Sequence, residues 1–216
     1  MISVKIENYS KKIRKKTILD NINLSLEGGK IYGIKGINGS GKTMLLRAIC
    51  GLIYPTIGTV SINNEVLGKD ISFPRSVGAL IENPAFLPNF TGFENLKMLS
   101  SMKNTITSSE VCTAIDAVGL EHSDKRVFRK YSLGMKQKLG IAAALMERPD
   151  IIILDEPFNA LDEKSVIMIK ELIIKQKERG ALVIIACHDS EVLFELSDIV
   201  YELEGGIITR QIYKEA

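Results

Sequence analysis

The sequence predicts an α/β fold: a parallel core sheet, an antiparallel β-subdomain at the N-terminal end and an inserted α-helical subdomain. Three observations predict it. Two short apolar runs, Ile151 to Leu154 and Leu182 to Ala186, flank a long helical stretch from Glu163 to Arg179, the texture of buried parallel strands joined by a crossover helix. A glycine-rich turn, Gly36 to Thr43, joins an apolar strand to a helix. Alternating apolar residues mark the early part of the chain as half-buried strands.

Taken in order, Ile2, Val4 and Ile6 alternate with polar residues, as do Ile18, Ile22, Leu24 and Leu26. Val60 and Ile62 then lead into Asn63-Asn64, a turn signal, so an antiparallel sheet is expected here. Ile31 to Ile34 reads as a strand and Met44 to Cys50 as the helix after the glycine-rich turn. Beyond Glu82, Asn83-Pro84 and Leu87-Pro88 punctuate a loop, and Thr91 to Met102 reads helical. Thr107 with Glu110 forms a capping box ahead of Val111, Ala114, Ile115 and Val118, and Gly119 stops that helix. Asp162 is placed to cap the long helix and Gly180 to end it. Tyr201 to Leu203 and Ile207 to Ile208 flank Gly205-Gly206 as a closing hairpin. The expected organisation is one domain over 1–216, with core and β-subdomain at 1–82 and 131–216 and a helical subdomain over about 83–130.

The chain has 216 residues, 45% hydrophobic and 25% charged, which supplies a core and excludes disorder. Its longest apolar runs, Gly180 to Cys187 and Leu139 to Met146, fall far short of the roughly 18 residues that span a bilayer. The N-terminus has no apolar segment followed by a small-residue cleavage site, so a cytosolic location is expected. A net charge of +2 gives no reason to expect a nucleic-acid partner. Lys11, Lys12, Arg14, Lys15 and Lys16 make a local basic cluster without interleaved aromatics, which reads as a solvated turn. Cys50, Cys112 and Cys187, odd in number and widely spaced, read as buried free thiols.

The chemistry begins at Gly36-Ile37-Asn38-Gly39-Ser40-Gly41-Lys42-Thr43, which satisfies GxxxxGK[ST] between a strand and a helix. Side-chain-free glycines let successive backbone N–H groups point inward, and the helix N-terminus adds partial positive charge to the same spot. A triphosphate fits that cradle. Asn38, Gly39, Ser40 and Gly41 would line it, Lys42 would bridge the β and γ phosphates, and the Thr43 hydroxyl would take one Mg²⁺ position. Ile151 to Asp155 is a buried strand ending in Asp155-Glu156-Pro157, so two carboxylates emerge at a carboxyl end, where ligands bind in open α/β sheets. Asp155 suits Mg²⁺, and Glu156 is positioned to polarise a water against the γ-phosphate.

Here the residues carry a resemblance: over essentially its whole length the chain resembles the ATP-binding cassette of ABC transporters. Tyr131-Ser132-Leu133-Gly134-Met135-Lys136-Gln137 lies where the family has its signature, Asn159-Ala160-Leu161-Asp162 resembles the D-loop, and His188 resembles the switch histidine. The resemblance implies a phosphate-loop NTPase fold and two cassettes paired head to tail, identical or not. Each ATP then lies between the phosphate loop of one and Ser132 and Gly134 of the other. It implies further that His188 contacts the γ-phosphate, that Asp162 crosses the interface, and that Glu156 is the catalytic base. Leu133 and Met135 replace a glycine and a glutamine of the usual signature, Glu82 stands where the family commonly has a glutamine that reaches Mg²⁺ or water, and Ile13 stands where an aromatic stacks on adenine.

Glu82-Asn83-Pro84, Thr91-Gly92-Phe93-Glu94-Asn95-Leu96 and Tyr131 to Gln137 resemble the bacterial branch serving bacitracin-resistance and lantibiotic-immunity exporters. That resemblance implies a separately encoded integral membrane permease contacted through Asn83 to Leu99, and a peripheral position on the cytoplasmic face of the membrane. A soluble ABC ATPase acting on ribosomes, DNA or cluster assembly is the alternative. Against it, such proteins carry two cassettes or a long coiled coil, and Glu82 to Lys130 shows no sustained heptads. A small-molecule kinase leaves the signature and His188 unexplained.

Overall fold

The structure is a computed structural model that describes residues 1–214; the last two residues of the expected 1–216 unit lie outside the described residues. Two sheets form. The antiparallel one contains β1 (Ser3–Ile13), β2 (Lys16–Glu27), β4 (Ile57–Ile62) and β5 (Glu65–Val66) in the order β2-β1-β4-β5. The core sheet contains β3 (Lys30–Lys35), β6 (Val77–Leu80), β7 (Ile151–Asp155), β8 (Leu182–Cys187), β9 (Ile199–Glu204) and β10 (Ile207–Tyr213), in the order β10-β9-β3-β8-β7-β6. All its pairs are parallel except the closing hairpin of β9 and β10.

Why β7 and β8 read as unbroken apolar runs is explained by their two faces. Every residue of both strands is buried. Along β7, Ile152 and Leu154 enter the cluster formed with the helices, whereas Ile151 and Ile153 enter the cluster shared with the antiparallel sheet. Alternation still operates, but both sides are apolar.

Helix α1 (Lys42–Ile49) follows the glycine-rich turn and packs Leu45, Leu46 and Ile49 into the cluster shared by the two sheets. It starts two residues earlier than the apolar pattern suggests, because the charged Lys42 and Thr43 form its first turn. Between β6 and β7 lie α2 (Gly92–Lys103), α3 (Ser108–Ala117), a short 3₁₀ turn at Phe128–Lys130 and α4 (Leu133–Leu145). Capping boxes start two of them: Thr91 with Glu94 for α2, and Thr107 with Glu110 for α3. Helix α5 (Glu163–Glu178) is capped by Asp162, whose side chain accepts from the Ser165 N–H, and α6 (Ser190–Leu196) follows β8. Among the described residues no helix is long and apolar enough to cross a membrane.

Two expectations need correction. Cys50 and Cys187 are buried, but Cys112 is only half-buried, because it lies on α3, whose one buried edge is formed by Val111 and Ile115. The basic cluster is mostly strand rather than turn. Lys11 and Lys12 end β1, Lys16 starts β2, and only Arg14 and Lys15 form the tip. Lys11 Nζ donates to the Tyr54 carbonyl at 2.7 Å, which ties this hairpin to the loop after α1.

Candidate nucleotide site

Three neighbouring strands of the core sheet deliver the site's side chains from their carboxyl ends. Glu82 follows β6, Asp155 and Glu156 end β7, and His188 follows β8, while α1 supplies Lys42 and Thr43 from the facing side. A cavity of about 490 Å³ is lined by Asn38, Gly39, Gly41, Lys42, Thr43 and Glu82, and also by Asp155 and Glu156, while His188 lines a neighbouring hollow. The parallel order puts all these strand ends on one edge, the position at which open α/β sheets hold ligands.

The cradle is built by backbone conformation. Gly41, the N-cap of α1, has φ 111°, a left-handed value that a side chain would strain, and no side chain caps the helix. The first N–H groups of α1 therefore remain available to an anion at a positive helix end. Lys42 is buried, and its Nζ donates to the Gly36 carbonyl at 2.7 Å and lies 3.4 Å from Glu156 Oε1. Ser40 is buried, with its hydroxyl unpartnered among protein groups.

On the opposite wall the Thr43 hydroxyl donates to Asp155 Oδ2 at 2.7 Å. Burial pushes the Asp155 pKa up, with the Glu156 charge adding to it. Thr43, the Glu82 backbone N–H and Lys42 oppose the rise. A hydroxyl and a carboxylate in contact at the cavity wall are the hard oxygen donors that suit Mg²⁺. Glu156 adopts φ 48°, uncommon for a non-glycine residue, and its N–H donates to the Ala186 carbonyl at 2.8 Å. Its carboxylate thereby turns toward His188, whose Nδ1 lies 2.7 Å from Glu156 Oε2. Cys187 also approaches: donor atoms of Glu156, Cys187 and His188 lie within 4.8 Å of one another. Burial pushes the Cys187 thiol up to about 12, so it stays protonated at neutral pH.

The segment Ser132 to Gln137 begins α4, with Ser132 as N-cap accepting from the Met135 N–H at 3.2 Å. Gly134 packs on the turn before α5, where a Cβ would lie 2.6 Å from the Ala160 carbonyl oxygen. Asp162 is committed to capping α5. Ser132, Gly134 and Asp162 are not on the cavity lining, whereas Leu133 and Gln137 are.

Some site residues were not legible in the sequence. Ile13 is 45% exposed at the end of β1 and is not brought to the cavity, whereas Ile18 across the hairpin lines it. Ile18 falls at a register shift of the hairpin, between the pairs Lys11–Leu19 and Lys12–Thr17, and no sequence spacing reports such an irregularity. Gln137 donates from α4 to the Glu156 carbonyl at 3.0 Å. Arg47 forms an ion pair with Glu82, Nη2 to Oε1 at 2.9 Å, so the Glu82 carboxylate read as a metal ligand has a cation as its partner. The four-residue spacing of Thr43 and Arg47 on α1 was the available signal.

Comparison with known proteins decides the family. The pattern of the ABC transporter family matches residues 19–159, from the second strand through the acidic strand end. The chain belongs to the ABC transporter family. It is the ATP-binding subunit, an ATPase. Its relatives include the ABC transporter ATP-binding protein YybJ of Bacillus subtilis, 48% identical over 98% of this chain and 99% of YybJ. The bacitracin transport ATP-binding protein BcrA of Enterococcus faecalis is 36% identical over 97% of this chain and 68% of its own length. The lantibiotic transport ATP-binding protein SrtF of Streptococcus pyogenes is 34% identical, over 97% and 91%. Among solved structures, the dimeric bacterial ABC transporter cassette MJ0796 superposes with a TM-score of 0.89 at 26% identity, covering 99% of each chain.

Proposed function

We propose that this chain powers the export of membrane-active peptides of the bacitracin or lantibiotic type, as one of a pair of cassettes bound to a separate permease on the cytoplasmic face of the membrane. The observation that carries the hydrolytic part of this reading is the run of contacts through Glu156: its Oε1 lies 3.4 Å from Lys42 Nζ on the cavity lining and its Oε2 lies 2.7 Å from Nδ1 of His188, which lines the neighbouring hollow. The names of BcrA and SrtF, at 36% and 34% identity, support the cargo class.

In this reading the phosphate loop from Asn38 to Thr43 wraps the phosphates, and the Lys42 ammonium offsets their charge. The Glu156 carboxylate accepts a proton from the water that attacks the γ-phosphorus, and the bond to the β-bridging oxygen breaks, leaving ADP and phosphate. His188, held by Glu156, steadies the γ-phosphate. Bound Mg²⁺ neutralises phosphate charge, and Thr43 and Asp155 would hold it, with Glu82 on the same wall. Ser132, Gly134 and the N-terminus of α4 would face the nucleotide of the second cassette, with Asp162 at the junction.

For the permease, the exposed apolar side of the helical segment is the supporting feature. Met98, Leu99 and Met102 on α2 are 43%, 38% and 80% exposed, close in sequence to exposed Leu87 and Phe90. A cluster of large apolar residues kept in solvent marks an interaction surface.

The test is affinity purification of tagged Glu156→Gln protein from detergent-solubilised native membranes with Mg-ATP. Recovery of a polytopic membrane protein is expected, and Leu99→Glu in the same background should release it while ATP stays bound. A soluble dimer alone, or ribosomal or DNA partners, would move this ATPase to a non-membrane role.

A further inference from the structure

Helix α1 touches two carboxylates with two successive rungs of one face. Thr43 and Arg47 are four residues apart, so their side chains leave the helix on the same side, one turn from each other. Thr43 meets Asp155 at 2.7 Å and Arg47 meets Glu82 at 2.9 Å. Glu82 itself holds φ 60° just beyond its strand, a conformation that needs support from its surroundings.

Charge makes the second rung consequential. Glu82, Asp155 and Glu156 all line the cavity, with Lys42 as the cation on its lining. A polyphosphate entering this space meets three carboxylates. Asp155 is partnered by Thr43, and Glu156 by Lys42 and His188, whereas Glu82 has Arg47 of α1 as its cation.

We propose that Arg47 is a positioning residue for nucleotide binding: it neutralises the Glu82 carboxylate and fixes it against the cavity wall, so that the site accepts Mg-ATP despite an extra negative charge. This rests on the reading of the cavity as the nucleotide site. Truncating Arg47 leaves a free carboxylate beside the phosphates and repels them. Replacing Glu82 by glutamine removes the charge and with it the need for Arg47.

The experiment is a double-mutant cycle on the full chain. Mg-ATP affinity by calorimetry and steady-state KM and kcat are measured for the wild type, Arg47→Ala, Glu82→Gln and the double variant, at low and high salt, with thermal melts to confirm folding. Both partners are partly exposed, so Arg47→Ala is expected to weaken Mg-ATP binding by about three- to fivefold with kcat little changed. The loss shrinks at high salt, Arg47→Lys restores most of it, and in the Glu82→Gln background the same truncation costs less than about twofold. An equal loss in both backgrounds, or no loss in either, would overturn the proposal. Lys42→Ala separates the two readings. If it abolishes binding while Arg47→Ala is inert, only the role of Arg47 falls; if it too leaves binding intact, the cavity is not the nucleotide site.

Discussion

The side-chain amide of Gln137 donates to the backbone carbonyl of Glu156 at 3.0 Å. One residue lies in the first turns of α4, the other just beyond β7, and the bond ties the left-handed Glu156 backbone to that helix. Glu156, the proposed base, is therefore held by a side chain of α4 that also lines the cavity. Gln137→Ala should cost about 1 kcal/mol of stability, the worth of one buried hydrogen bond, and lower kcat more than it raises KM. Urea melts and steady-state kinetics check the two halves, and an unchanged kcat would show that Glu156 is held without it.

Packing of α4 against the edge of the core sheet leaves no space at Gly78. A Cβ there would sit 1.8 Å from the Ala144 carbonyl oxygen, a contact that only movement of helix or strand can relieve. Gly78→Ala should destabilise the fold by about 2 kcal/mol or more. A thermal melt within a degree of the wild type would contradict this close approach.

Both capping boxes are pH-sensitive in a defined direction. Backbone and side-chain hydrogen bonds from Thr91 hold the Glu94 pKa below its ordinary value, and those from Thr107 do the same for Glu110. The folded chain thus binds fewer protons than the unfolded one, so this stability is present above the unfolded carboxylate pKa and is lost as pH falls through the lowered folded values. Thr107→Ala should cost about 1 kcal/mol near neutral pH. Its cost should shrink in acid, and a cost that grew on acidification would refute the assignment.

Thiol chemistry should distinguish the three cysteines. Burial pushes Cys50 and Cys187 up to about 12, whereas Cys112 is half-buried on α3. Native protein treated with a disulfide reagent at mildly alkaline pH should release one fast equivalent, and denatured protein three. Cys112→Ser should remove the fast phase. If the fast phase persists, one of the buried strand or helix ends opens readily.

Much of the site was legible because its signals are local. The turn from Gly36 to Thr43 declares a strand, a tight backbone and a helix start in eight consecutive residues, and Asp155-Glu156 declares a strand end by following four apolar residues. The helix caps at Thr91, Thr107 and Asp162 are likewise fixed by hydrogen bonds that span only three residues. Ile13 shows where this stops. The family resemblance puts it at the adenine, but it is Ile18 across the hairpin, and not Ile13, that lines the cavity.

The sequence by itself determined most of the strands and helices, though not β5, β6 or α6, together with where the phosphate loop lies and which carboxylates end the acidic strand, since each depends on periodicity, capping or turn chemistry among near neighbours. Tertiary structure alone decided that β3 lies between β8 and β9, that Gln137 reaches Glu156, and that Arg47 meets Glu82. Those contacts join residues whose separation along the chain carries no period. They exist because burying both faces of the core sheet brings its strand ends to one edge, and α1 and α4 pack beside that edge.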